Sequence, residues 1–502
     1  MRRLLIPAVI AAAAVAGAWW FAEPIGDLLT GANATDAQEH GKKTKAKGKG
    51  RGKGKEKAAD VPVDEVLPPA PLAFATGPMV PATTPATPPN VVLVMGCTVR
   101  RDQMTPYGGP ENTTPFLAEM ARKGSFFEDT IAAAPWTRAA STAILTGKHA
   151  VSIGMVEPGP GRDDRVLPPS VVTLAERMRE RGYFTIGTTA NPNLNALFGF
   201  DQGYEVYTPA GAAQWGGKHA GSGVADAVLD ALAANRDGGD KRPFYLRIMM
   251  LDAHGPRKVS ADRIPEFSGD SVPERAAEYR ASLRDFDDAV GHLWGRLNQM
   301  GFDLSNTVFV QVADHGEGLN WPAHHGFAHG QYLYPSTVSV PWIAAGPGVA
   351  AGHKVAGLSS QVDILPTLLG VVGRPLEDAG ASDGHDWSAQ LRGEASETTV
   401  EAVFSDTWFQ QSNRAAIYTR TRQCQLDFGS ASRQVKKGKF VPGCFDREAD
   451  RFFQAPIEDA ELTARLETWR VARTAELAGA TVTSAEVSED LSEQLKLLGY
   501  QE

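Results

Sequence analysis

Five apolar residues, Val91–Met95, follow one another without a break, and Gly96 then stops the run. A strand with one wet face alternates apolar and polar positions. An unbroken run therefore predicts a strand buried on both faces, the kind that parallel sheets contain. The segments "YFTIGTTA" (183–190), "PFYLRIMMLDA" (243–253) and "TVFVQVADHGEG" (307–318) read as further strands, the last running into a polar, histidine-bearing turn. Between them, "TTPFLAEMARKG" (113–124) and "SVVTLAERMRERG" (170–182) read as helices. "YRASLRDFDDAVGHLWGRLNQMG" (279–301) repeats its apolar positions at helical spacing and predicts a long amphipathic helix. "VDILPTLLGVVG" (362–373) closes the series. Alternating strands and helices predict an α/β fold with a mostly parallel central sheet sandwiched by helices, over residues 90–395. From 396 to 502 the texture changes to short strands, turns and a charged helix near "LTARLETWRVARTAELAG", which predicts a smaller C-terminal α+β subdomain. No internal repeat is evident.

The first 89 residues have no such pattern. Two arginines precede an apolar run from Leu4 to Ala22, so residues 1–22 read as a signal peptide or an N-terminal membrane anchor. "AGA" at Ala16–Ala18 offers a cleavage site, whereas Trp19 and Trp20 suit an interfacial anchor. Residues 23–89 read as a disordered linker, basic over 41–57 and then rich in Pro, Ala and Thr. The basic run is either a solvated spacer or a contact for an anionic membrane or polysaccharide. The protein is thus expected outside the cytoplasm, on the periplasmic or extracellular side, tethered by its N-terminal segment.

Charge narrows the function classes. The formal net charge is −9, and beyond residue 89 the chain holds 39 Lys+Arg against 51 Asp+Glu. Such an acidic body is not that of a nucleic-acid binder. Of three cysteines, Cys424 and Cys444 are plausible disulfide partners in an exported protein, which leaves Cys97 alone at the end of the first strand.

Ligands gather past the carboxyl ends of strands in α/β sheets, and four polar clusters fall there. Cys97 comes with Thr98 and Asp102. Thr137 leads the helix-like "TRAASTAILTG", where free backbone N–H groups suit an anion, although an N-cap threonine explains the residue equally. Asp252 and His254 follow the strand of "LDAHGP". Asp314, His315, His324, His325 and His329 follow the last strand, and one carboxylate among several imidazoles reads as a metal site.

In this order, the pieces resemble the sulfatase family of the alkaline phosphatase superfamily. The opening strand "NVVLVMGCTVRRDQMTPYG", the segment "APWTRAASTAILTG", the region "ANPNLNALFGFDQGYEVY", then "LDAHGP", "VADHGEG", "HHGFAHGQYLY", "VDILPTLLG" and the terminal "LKLLGYQE" carry the resemblance. It implies a metal-dependent hydrolase or transferase of anionic esters. Thr137 falls at the nucleophile position, and Asp314 and His315 on two metal ligands. His329 falls where a residue contacts the bound anion. His254 falls where a histidine assists the leaving group or binds the ester, and His325 matches a frequent family histidine, read here as substrate-binding. Two departures stand out. Cys97 takes the place of the family's first metal carboxylate, and Thr137 that of the cysteine that sulfatases oxidise to formylglycine; Ser141 also replaces a customary Arg or His. "CTVRR" itself misses the formylglycine pattern at Val99, so no formylglycine is expected.

Formylglycine expels its sulfate by re-forming a carbonyl. Threonine has no second hydroxyl, so a threonyl ester must be released by water or passed to an acceptor. Phosphate or phosphonate esters on a glycan, a lipid headgroup or a small molecule suit this chemistry better than sulfates, the family's own class. One divalent cation is expected, held by Asp314, His315 and Cys97; thiolate ligation would select zinc over manganese or calcium. Two other classes stand against this reading. One is an inactive sulfatase-like protein that binds a glycan or protein partner. The other is a tethered protein acting through its basic spacer alone.

Overall fold

The computed structural model describes residues 79–500, apart from 111, 157–163, 210–219, 260, 322–326, 395–399 and 431–439. Residues 1–22 and the basic run 41–57 therefore lie outside the described residues, as do His324 and His325. Among the described residues no helix is long and apolar enough to cross a membrane.

The main sheet has nine strands: β1 (Asn90–Gly96), β2 (Ser125–Ile131), β3 (Phe184–Thr189), β4 (Val206–Pro209), β5 (Phe244–Met250), β6 (Thr307–Ala313), β7 (Ser339–Val340), β8 (Trp342–Ala345) and β9 (His353–Ser360). Strands β6, β1, β5, β3 and β4 lie side by side and parallel. β8 enters antiparallel between β6 and β2, β7 pairs antiparallel with β2, and β9 pairs parallel with it. The sheet is mixed but mostly parallel, as the continuous apolar runs predict.

The reason is visible in β1. Val92 and Val94 enter one hydrophobic layer, while Val91, Leu93 and Met95 enter the other, all fully buried. Each such side chain contributes ~1.5–3 kcal/mol of burial, and helices cover both faces to supply it. Helices α1 (Pro115–Lys123), α4 (Ala220–Asp237) and α5 (Glu274–Gln299) fill the first layer. Helices α2 (Thr137–Thr146), α3 (Leu174–Glu180) and α6 (Ile364–Val371) fill the second. α3 opens on a capping box of Thr173 and Glu176, which stops the preceding loop at a defined residue.

Four antiparallel strands, Val403–Thr407, Arg414–Tyr418, Arg422–Asp427 and Gly443–Asp446, form a second sheet. Helix α7 (Ala460–Gly479) packs on it through Leu462 and Leu466, and Cys424 is disulfide-bonded to Cys444. The last helix, α8 (Glu489–Leu497), returns to the main domain, where Leu491, Leu495 and Leu498 join the second layer.

Candidate active site

Register places the first pair of site residues. Gly96 of β1 lies opposite Ala313 of β6, so the next residues, Cys97 and Asp314, emerge side by side. Gly96 has no room for a side chain: a Cβ there would stand 2.7 Å from Val99 and 2.8 Å from the Phe286 ring. Beyond the strand, Thr98 adopts a left-handed φ of 58°, an unfavourable conformation for a β-branched residue. It is held by Tyr279, whose hydroxyl donates to Thr98 O at 2.6 Å. The turn aims Thr98 N at Asp314 Oδ1, 3.1 Å away, and His315 N reaches the same oxygen at 2.7 Å. The Cys97 thiol donates to Asp314 Oδ2 at 3.3 Å. Burial and the Asp314 charge push this thiol well above the usual cysteine range.

Thr137 is the first residue inside α2, not its N-cap; Trp136 holds that position and makes no side-chain cap bond. The hydroxyl is fully buried and turned to the sheet end, 3.3 Å from His315 Nε2 and 3.6 Å from Cys97 Sγ. His315 Nδ1 faces the Gly316 carbonyl at 2.8 Å. A carbonyl only accepts, so the ring proton is on Nδ1 and the Nε2 lone pair points into the site. Burial lowers His315 to a pKa of about 4.

His254 follows β5, and its Nδ1 donates to Gly255 O in the same manner. Burial first, and the neighbouring His329 second, hold its pKa down at about 3. The His329 ring lies tilted 4.4 Å from the His315 ring and edge-on 5.0 Å from the His254 ring, with Nδ1 3.4 Å from Glu317 Oε1. Arg257 pairs with the other Glu317 oxygen at 3.2 Å. Burial alone would raise Glu317, but His329 and Arg257 outweigh it and leave it at about 2. Asp252 turns away to accept from Gly221 N, and Asp102 pairs with Arg100 at 2.7 Å.

Cys97, Thr137, His254, Asp314, His315 and His329 thus converge at one end of the sheet. Two neighbours escaped the reading of the sequence. Asn191, just past β3, donates to Thr137 Oγ1 at 3.2 Å and to Cys97 Sγ at 3.5 Å. Its place at a strand's carboxyl end is the same signal that singled out Cys97. Tyr500 comes from the far end of the chain, and its hydroxyl lies 2.7 Å from Thr137 Oγ1. It lies in the terminal "LKLLGYQE" that carries part of the resemblance, but nothing in that segment marks the tyrosine as a group of the site.

A family model described as Sulfatase matches residues 89–374, more than half of the chain. The chain belongs to the sulfatase family. This is a family of sulfuric ester hydrolases in the alkaline phosphatase superfamily. Human arylsulfatase A is 28% identical over 398 residues, covering 68% of this chain and 75% of the relative. An ulvan-active sulfatase of Formosa agariphila is 23% identical over 358 residues, 63% of this chain and 68% of its own. Among solved structures, a 2-O GAG sulfatase has a TM-score of 0.63 at 16% identity, covering 79% of this chain and 95% of that one. The phosphonate monoester hydrolase of Agrobacterium radiobacter has a TM-score of 0.61 at 17% identity, covering 80% and 98%. These structural likenesses carry the fold.

Sulfatases are metal-dependent, and the donor atoms here can be tested against that requirement. Zinc bonds of about 2.0 Å to N and O and 2.3 Å to S set tetrahedral donors ~3.3–3.5 Å apart. Four edges of the cluster are known: Cys97 Sγ to Asp314 Oδ2 3.3 Å, Asp314 Oδ2 to His315 Nε2 3.3 Å, His315 Nε2 to Thr137 Oγ1 3.3 Å, and Thr137 Oγ1 to Cys97 Sγ 3.6 Å. The ligand atoms of Cys97, Asp314 and His315 all lie within 4.8 Å of one another, and all three residues are buried. The residues fit a divalent cation, and their hydrogen bonds also satisfy the cluster without one.

Proposed function

We propose that this sulfatase-family protein cleaves an anionic ester, a sulfate or a phosphate or phosphonate, through Thr137 as nucleophile, and that the threonine suits the phosphorus esters better. The observation that carries the reading is the position of Thr137 Oγ1, 3.3 Å from His315 Nε2 and 3.6 Å from Cys97 Sγ at the start of a buried helix. Cys97, Asp314 and His315 would hold one divalent cation, zinc by the nature of the donor set. Bound there, it would lower the pKa of the Thr137 hydroxyl and draw charge from the reacting group.

The chain's own groups do the rest. The N–H groups opening α2 favour a negative ester. Asn191 donates to Thr137 Oγ1 and stabilises the alkoxide as the hydroxyl proton leaves. Oγ1 bonds to the phosphorus or sulfur as the bond to the leaving oxygen breaks. His329, oriented by Glu317 and Arg257, faces the non-bridging oxygens, and His325 adds a substrate contact. His254 is neutral with its proton on Nδ1, so Nε2 is an acceptor. It takes a proton there from water as the Thr137 proton is released to water, and gives it to the leaving oxygen as that bond breaks; the anionic ester beside it favours the protonated ring. Water or a second alcohol then attacks the threonyl ester and returns the hydroxyl. The phosphonate monoester hydrolase of the same fold supports phosphorus esters as related chemistry beside the family's sulfates. The reaction-bearing part is 90–395, with 396–502 closing one side of it. Export, with residues 1–22 as signal or anchor and 41–57 meeting an anionic surface, completes the reading.

Turnover of an aryl sulfate, a phosphodiester and a phosphonate monoester by the wild type, Thr137→Ser and Thr137→Ala tests it. Serine should keep activity within about tenfold, and alanine should lose at least about 10³-fold. Undiminished turnover in Thr137→Ala would sink the nucleophile assignment. A second reading, an inactive sulfatase-like binding protein, draws support from Cys97 in place of a carboxylate. Its mark would be partner binding unaltered in Thr137→Ala, with no ester turned over by the wild type.

A further inference from the structure

We infer that Tyr500 is a built-in plug of this site, occupying the space that the ester's tetrahedral group must enter and withdrawing when the ester binds. The inference rests on Thr137 being the attacking group. A reacting centre must come to ~3–3.5 Å from its nucleophile. The phenol oxygen already stands 2.7 Å from Thr137 Oγ1, and 3.3 Å from His254 Nε2 on the other side. An ester bridging Thr137 and His254 needs that volume, so phenol and substrate exclude one another.

The partners of the hydroxyl say what it is for. It bonds to Thr137, His254 and Asn191, all groups of the site. The ring is 2% exposed and is walled by His254 and His329, each 5.8 Å away, and by Phe409 at 6.2 Å. The phenol is thus housed as a small ligand is, in an aromatic socket with three polar contacts.

The attachment is suited to release. α8 is anchored in the core by Leu491 and Leu495, with Leu498 just past its end, and two residues, Leu498 and Gly499, separate it from Tyr500. Gly499 has a left-handed φ of 79°, and nothing lies within 4 Å of where its Cβ would be. The Gly499 carbonyl accepts one bond, from Gln410 Nε2 at 3.3 Å. Tyr500 N also donates to Leu495 O at 3.0 Å, so withdrawal about Gly499 breaks that one backbone bond and leaves the apolar anchors of the helix in place.

Calorimetric titration with inorganic phosphate separates a plug from a catalytic or binding phenol, using the full chain supplied with zinc and its Tyr500→Phe and Tyr500→Ala variants. A plug lowers apparent affinity by the fraction of time the site is open. Tyr500→Ala should therefore bind phosphate at least about tenfold tighter than wild type, and Tyr500→Phe, which keeps the ring, should gain less. In the wild type labelled with 3-fluorotyrosine, phosphate should move the Tyr500 fluorine resonance to that of an exposed tyrosine. This second readout needs no change to the fold. Equal or weaker binding by Tyr500→Ala, no phosphate binding by either protein, or an unmoved resonance overturns the plug. Failure of the nucleophile assignment is read separately, from ester turnover in Thr137→Ala.

Discussion

Replacing Cys97 should change how metal affinity depends on pH, and the size of the change follows from the site. A cysteine binds metal as thiolate. Burial and Asp314 hold the Cys97 thiol protonated far above neutral pH, so each bound ion must expel one proton. His315 adds nothing to the slope near neutrality, because it is already neutral above about 4. One proton released per ion means tenfold in affinity, or about 1.4 kcal/mol, per pH unit. Zinc should thus bind about 100-fold tighter at pH 8 than at pH 6. Cys97→Ser carries no group that must ionise, so its affinity should be weaker and its slope near zero. Competition titration against a chelator at pH 6, 7 and 8 gives the slope. Calorimetry in two buffers of different ionisation heat counts the protons. A flat profile in the wild type, or the same slope in Cys97→Ser, would mean that the sulfur is not a ligand.

Two predictions concern stability. The Asp287 carboxylate on α5 accepts from Phe116 N and Leu117 N at the start of α1, is 1% exposed, and is pushed by burial to a pKa of about 7. The folded state then keeps a proton that the unfolded chain has lost. Stability should fall as pH rises from about 4 to 7, by on the order of 1.4 kcal/mol per unit; urea melts of Asp287→Asn should lack this fall, and a matching fall would refute the assignment. The Cys424–Cys444 bond closes a separation of 20 residues, so its removal by the paired serine variant should cost ~3 kcal/mol of denaturant stability, with no loss expected if the unfolded ensemble is already compact there.

The main sheet was legible because its strands are buried on both faces, and that alone produces runs such as Val91–Met95. The same logic made Cys97, Asp314 and His254 conspicuous, as polar residues where an apolar run ends. β8 was not legible: Trp342–Ala345 is as apolar as its parallel neighbours, and direction leaves no mark on a strand buried on both faces. α4 was overlooked although Val224, Val228, Leu229 and Leu232 recur at helical spacing. Asn191 and Tyr500 escaped for different reasons. Asn191 obeys the strand-end rule but sits among other polar residues in "NPNLN". Tyr500 reaches Thr137 across 363 positions, a distance over which local pattern carries no information.

The two departures from the family pattern are physically linked. Formylglycine brings its own leaving step, whereas a threonine hydroxyl, far less acidic, depends wholly on neighbouring charge to become a nucleophile. A ligand replacement at residue 97 must therefore keep its negative charge in the metal-bound state, and a thiolate does so. Without metal the two choices diverge. A second carboxylate 3.3 Å from Asp314, in a fully buried site, would force a proton onto the pair or repel it apart. A thiol is neutral there and donates to Asp314 instead. Cysteine thus gives the same charge as aspartate when the ion is bound and a satisfied hydrogen bond when it is not. It follows that Cys97→Asp should melt below the wild type in chelator and recover when metal is added. A variant equally stable in chelator would show that charge repulsion at this strand end is not what distinguishes the two residues.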